Sequence, residues 1–107
     1  MTPEERYTEL VRGFTTQKGV TREGRGFGSS SLRVGGSIFA LLSSRGQFVV
    51  KLPRRRVEEL IASGEGDRFD PGHGRLMKEW LALRASSSLD WDQLAREAMD
   101  FVGSRSR

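Results

Sequence analysis

The chain has 107 residues, 36% hydrophobic and 30% charged, with a formal net charge of +4. That length predicts one domain with one modest core, and no apolar run approaches the roughly 20 residues that a membrane helix needs. With no cysteine and a single histidine, His73, the count excludes disulfides, thiolate metal sites, cysteine nucleophiles and His-pair acid–base chemistry.

Thr2-Pro3-Glu4-Glu5 reads as a helix start. Thr2 can cap, Pro3 suits the first helical position, and Glu5 completes a capping box. Tyr7, Leu10, Val11 and Phe14 follow at i, i+3, i+4 and i+7 as one apolar stripe. This segment is acidic and amphipathic, unlike a signal peptide, and is too short to be a stable helix unless it packs on something. From Thr15 to Ser30 the chain is polar and glycine-rich, with Gly24, Gly26 and Gly28 alternating with Arg25 and Phe27. Such a loop can bring backbone N–H groups to a phosphate. Its spacing matches neither a dinucleotide fingerprint nor a P-loop, so a connection or a bulged edge strand is the plainer expectation.

The stretch SLRVGGSIFALLSSRGQFVVKL, residues 31–52, predicts three antiparallel strands joined by two tight turns. Gly35-Gly36 supplies the positive φ that a two-residue hairpin turn requires, and Ser43 to Gly46 forms the second turn. Leu32 and Val34 share one face, with Arg33 opposite. Phe48, Val50 and Leu52 share one face, with Val49 and Lys51 opposite. Ile38 to Leu42 is apolar without alternation, which predicts a central strand covered on both faces.

Pro53 stops the third strand and opens a second helix, PRRRVEELIASG. Its buried stripe is Val57, Leu60 and Ile61, and Gly64 fits the position after its C-terminus. Arg54, Arg55 and Arg56 crowd the first turn, where the helix dipole already concentrates positive charge. Ion pairs Arg54–Glu58 and Arg55–Glu59 at i, i+4 would offset part of that repulsion. Guanidinium groups at a helix N-terminus are chemically suited to an anion; the same residues also read as a solvated charged face held by the two glutamates. Glu65 to Arg75 reads as a loop, with Asp70-Pro71-Gly72 a turn, Phe69 tucked inward as its anchor and His73 exposed at its tip. KEWLAL, residues 78–83, reads as a fourth strand, with Trp80 and Ala82 on one face and Leu81 and Leu83 on the other. Asp90 caps a last helix with Leu89 and Leu94 as a hydrophobic staple. Its stripe is Trp91, Leu94, Ala95, Ala98, Phe101 and Val102, ending at Gly103.

The expected architecture is α+β, in the order αβββαβα, with helices packed on a small antiparallel sheet. Residues 1–103 form the domain and 104–107 a frayed basic tail. Two blocks carry a family resemblance: GSSSLRVGGSIFALLSSRGQFVVKLPRRRVEELIASGEG and FDPGHGRLMKEWLAL. Phe27-Gly28, Val34 to Ala40, Val50-Lys51-Leu52 and Met77 to Trp80 make residues 5–102 resemble the N-terminal domain of TfoX/Sxy-family proteins. In layout the chain is also similar to the MmcQ/YjbR family of small bacterial proteins. The resemblance implies an α+β fold, a link to regulation of natural competence on the TfoX/Sxy side and a DNA-binding label on the MmcQ/YjbR side. It supplies no catalytic residues.

The functional expectation is a non-enzymatic cytoplasmic module, a monomer or weak dimer, without cofactor or metal. It would bind DNA or another polyanion through Arg54, Arg55, Arg56, Lys51, Arg33 and Arg25 by phosphate contacts with little sequence preference. The alternative is a protein-interaction adaptor that docks a partner on the sheet face or an edge strand. No serine stands in a nucleophile-elbow context, and Asp67 and Asp70 read as turn formers.

Overall fold

A computed structural model describes residues 2–23, 31–69 and 77–105. Helix α1 (Pro3–Phe14) leads into strands β1 (Val20–Glu23), β2 (Ser31–Val34), β3 (Ser37–Leu42) and β4 (Phe48–Lys51). Helix α2 (Arg54–Ala62), strands β5 (Gly66–Phe69) and β6 (Met77–Leu83), and helix α3 (Trp91–Arg105) complete the described chain. The six strands form one antiparallel sheet in the order β1-β2-β3-β4-β6-β5.

The α+β class is as expected, but the element order is αββββαββα. Both additional strands, β1 and β5, are sheet edges. Residues 20–23 lie in the polar connection and 66–69 in the segment expected to be a loop. Neither has strong strand chemistry of its own; each is held by its neighbour's ladder. Val20 to Glu23 pair with Val34 to Ser31, and Gly66 to Arg68 pair with Leu83 to Leu81. Gly66 makes the second pairing sterically feasible. A Cβ built there would stand 2.5 Å from the Ala82 carbonyl oxygen and 3.1 Å from Leu81 Cδ1, closer than a side chain tolerates.

The helix signals are realised. The Thr2 hydroxyl accepts from the Glu5 N–H at 3.1 Å, and Glu5 Oε1 accepts from the Thr2 N–H at 3.0 Å, closing the capping box. These bonds from Thr2, its backbone N–H foremost, hold the Glu5 carboxyl below its ordinary range. All four stripe residues of α1 are buried. Helix α2 ends with Gly64 at φ +81°: the Glu65 N–H donates to the Leu60 carbonyl at 2.9 Å and the Gly64 N–H to that of Ile61 at 3.0 Å, a Schellman ending. Asp90 caps α3 by accepting from the Asp92 N–H at 2.9 Å. This helix runs through Gly103 to Arg105 rather than stopping at Gly103. Gly103 lies against Val34, and the Arg105 guanidinium reaches Glu79 at 2.8 Å, so the last turn is tied to the sheet.

All three helices pack on one face of the sheet, where Leu32, Ala40, Leu42, Phe48, Val50, Leu81 and Leu83 share a single core with the stripes of α1, α2 and α3. Phe48 lies at its centre, stacked on Trp91 at 4.5 Å and tilted against Tyr7 at 6.2 Å. It joins β4 to two helices. The Arg6 guanidinium covers the outer face of this stack, 4.2 Å from the Trp91 ring.

The unbroken apolar run of β3 has a different origin from the one expected. The β2–β3 register pairs Arg33 with Ile38 and Leu32 with Ala40, leaving Phe39 as an extra residue in a β-bulge. A bulge sets two successive side chains against one partner residue. Phe39 and Ala40 are both fully buried in the helix-side core, Phe39 6.1 Å from the Phe14 ring, while Ile38 and Leu41 are half-buried outside it. The strand therefore carries five apolar residues in a row without being covered by helices on both faces. No described helix packs on the second face.

Candidate functional site

The three arginines of α2 begin where β4 ends and are not equivalent. Arg54 donates through Nε to Glu58 Oε2 at 3.2 Å, the expected i, i+4 pair. Arg56 makes a two-pronged contact with Glu97 of α3: Nε to Oε1 at 3.1 Å and Nη2 to Oε2 at 3.3 Å. Its Nη1 also stands 3.7 Å from Glu59. Glu59 thus pairs with Arg56 rather than with Arg55, because the guanidinium of Arg56 lies between it and Glu97. Arg55 is exposed and takes part in no ion pair among the described residues. The cluster divides into a surface pair, a bridge between helices and one uncommitted cation.

The helix end gives these charges little internal compensation. Pro53 occupies the cap position without a side-chain hydrogen bond, and the first turn of α2 contains no acidic residue. The dipole's positive end therefore adds to the arginines. Glu58 serves two arginines, Arg54 and, at 3.4 Å, Arg68 of β5.

Lys51 and Arg33 lie on the opposite side of the sheet from the helices, with Val49 and Ala82. Register pairs Lys51 with Trp80, and the Lys51 ammonium lies 5.6 Å from the Trp80 ring centroid. Register also pairs Arg33 with Ile38, and the Arg33 guanidinium donates to the Gly36 carbonyl at 2.8 Å. Arg33, Ile38, Lys51 and Trp80 are all half-buried. They come from four adjacent strands, at the end of the sheet where α2 begins. The remaining expected site residue, Arg25, and also His73, Phe27-Gly28 and the Asp70-Pro71-Gly72 turn lie outside the described residues.

The sequence places Trp80 on one strand face with Ala82 but does not show it as a neighbour of Lys51, because the β4–β6 pairing joins residues distant in sequence. Elsewhere the described surface is mixed in charge. Arg84 pairs with Asp67 at 3.2 Å, and the groove between α1 and the start of α3 is lined by Arg6, Glu9, Leu10, Asp90, Trp91 and Asp92. Among the described residues no three His, Cys, Asp or Glu gather to hold a metal ion, and no helix is long and apolar enough to cross a membrane. Among the described residues Tyr7 is the one buried group whose acidity is strongly altered. Desolvation pushes its phenol well above the ordinary value of 10.0, against an opposing effect of Arg22; the residue belongs to the core and also lines a groove with Thr8, Val11, Arg12, Thr15 and Arg22. No protein-family model, curated protein or solved structure matches the chain.

Proposed function

We propose that this chain is a non-enzymatic regulatory module of the kind the TfoX/Sxy and MmcQ/YjbR resemblance implies, cytoplasmic, and a monomer or weak dimer. It binds nucleic acid weakly and without sequence preference through the basic end of its sheet. The observation that carries this reading is the exposed Arg55, uncommitted at a helix start with no acid in its first turn, one short step along the chain from Lys51. Arg54 and Arg56 contribute less than their number suggests, since carboxylates of the same molecule already hold them. Phosphate contacts of this kind are read in salt dependence: each neutralised phosphate of a duplex adds about 0.9 to the negative slope of log K against log salt. Duplex retention measured at several salt concentrations should give a slope of about −2 to −3, falling when Lys51 and Arg55 are replaced by Ala. No retention at low salt would remove this reading.

A protein-interaction adaptor is the second reading. On the face away from the helices Ile38 and Leu41 are half-buried beside the buried Val49 and Ala82, and the open sheet ends in two short edge strands. A partner held there would survive high salt, whereas a polyanion would not.

A further inference from the structure

Among the described residues Glu58 alone serves two guanidiniums that come from different elements. Arg54, one turn earlier in α2, and Arg68 of β5 both donate to its Oε2, at 3.2 and 3.4 Å. Its Oε1 accepts no bond among the described residues. Both contacts are longer than the roughly 2.7–2.9 Å of a strong charge-assisted bond. All three side chains reach solvent, with 61% of Arg54, 46% of Glu58 and 33% of Arg68 exposed. The neighbouring carboxylates are engaged elsewhere: Glu59 and Glu97 with Arg56, Asp67 with Arg84 and Glu79 with Arg105. Counted with both signs, the corner of α2 and β5 sets Arg54, Arg55, Arg56 and Arg68 against Glu58, Glu59 and Glu97, and Arg55 is the cation left over.

We propose that Arg54 and Arg68 form an oxyanion clamp for a backbone phosphate, with Glu58 as its displaceable internal occupant; this rests on the nucleic-acid reading above and adds Arg68 to it. The two donors, one from a helix and one from a strand, already converge on a single anionic oxygen. A carboxylate that both share through one atom satisfies neither well. A phosphodiester presents two unesterified oxygens, one for each guanidinium, and guanidinium groups match that geometry. Exposed ion pairs are weak, so Glu58 can swing into water at little loss while staying tethered beside the clamp. It then competes with the ligand at every encounter, which limits what Arg54 adds to binding. Arg55 follows Arg54 in the chain and holds no carboxylate, so it supplies a contact for the adjacent phosphate. The occupied clamp is thus a brake on the same basic site.

The test uses the full chain and a short fluorescein-labelled duplex, with anisotropy read across a salt series. Glu58→Gln should tighten binding by about 2- to 5-fold, the range set by loss of an exposed competing ion pair. It should also make the slope of log K against log salt more negative by about 0.9, one further phosphate. Glu58→Asp keeps the charge on a side chain one methylene shorter and should shift binding the same way by a smaller factor. Glu9→Gln removes the same charge from an exposed residue of α1 that takes part in no ion pair among the described residues, and should leave the slope unchanged. Arg68→Gln should weaken binding little on its own and cancel the whole gain when combined with Glu58→Gln, a non-additivity that marks one shared site. If Glu58→Gln and Glu9→Gln act equally and Glu58→Asp does nothing, the clamp is overturned and the basic-end reading stands. The same follows if the gain survives Arg68→Gln. Failure of both the unmodified chain and Glu58→Gln to bind overturns both. If Glu58→Gln does not fold, Glu58→Asp, alone and combined with Arg68→Gln, decides the matter.

Discussion

Replacing the three consecutive arginines of α2 one at a time should separate stability from anion binding. Arg56→Ala removes the two-pronged contact with Glu97 and the longer approach to Glu59. Arg56 and Glu97 are about one-third exposed, 35% and 33%, so solvent screens the pair and its loss should cost about 1 kcal/mol rather than the several expected of a buried pair. In a domain of this size that is a fall of roughly 4 °C or somewhat more in Tm. Arg54→Ala gives up an exposed i, i+4 pair worth about 0.3–0.5 kcal/mol and removes a cation misplaced on the dipole, worth a similar amount. The two nearly cancel, and Glu58 keeps Arg68. Arg55→Ala has no ion pair to lose, so stability should hold or rise by a few tenths of a kcal/mol, roughly. In binding the order reverses: Arg55→Ala should lower the duplex salt slope by about 0.9, while Arg56→Ala should change it little. Urea unfolding followed by circular dichroism reads the first quantity, and fluorescence anisotropy across a salt series reads the second. If Arg56→Ala weakened duplex binding as much as Arg55→Ala with no change in urea midpoint, the division of the cluster into committed and uncommitted cations would be wrong.

Three further outcomes concern the scaffold. Gly66→Ala forces a methyl against the Ala82 carbonyl and should destabilise by about 1–3 kcal/mol, with amide exchange faster in β5 than in β2. Phe48→Ala empties the centre of the Tyr7–Phe48–Trp91 stack and should cost about 3–5 kcal/mol from a total of about 5–15; Phe48→Leu should cost clearly less, both read from urea midpoints. For Tyr7, burial raises the phenol above 10.0 in the folded chain, so the unfolded chain ionises first. Its contribution is whole below pH 10.0, declines as pH rises through the raised value, and should vanish in Tyr7→Phe. Tyr7 is the only tyrosine, so phenolate absorbance should appear together with unfolding and not before it.

Elements whose signals are local were legible from the chain alone. The Thr2–Glu5 box, the Gly35-Gly36 turn, the Gly64 ending and the stripes of α1 and α3 each depend on residues within about two helical turns of one another. What escaped depends on partners far away in sequence. VTRE and GDRF become strands because β2 and β6 offer them ladders, and four residues with one large apolar side chain each do not announce that. Phe39 looked like one member of a two-faced strand; only the β2 register reveals it as a bulge. The site divides in the same way. The arginine cluster could be found by inspection, but the Arg56–Glu97 bridge spans 41 positions. The meeting of Lys51 with Trp80 waits on the β4–β6 pairing.

The bulge at Phe39 bears on the site as well as on the core. It turns two consecutive side chains, Phe39 and Ala40, toward the helices, so Ile38 and Leu41 fall on the second face separated by three positions instead of two. Ile38 is thereby carried to the end of the sheet, opposite Arg33 and beside the strand that bears Lys51. Had the same residues paired without a bulge, alternation would have put Phe39 beside Leu41 on that face and aimed Ile38 at the core. Deleting Phe39 should therefore remove the bulge together with the buried ring and leave Leu32–Ala40 and Arg33–Ile38 as successive pairs of a regular ladder. The β2–β3 register and the Arg33–Gly36 contact at the turn should persist, and the loss of the Phe39 ring beside Phe14 should lower the urea midpoint. Phe39→Leu keeps the bulge and part of the buried volume and should lose less stability, so the pair of variants separates the bulge from the packing of its aromatic side chain.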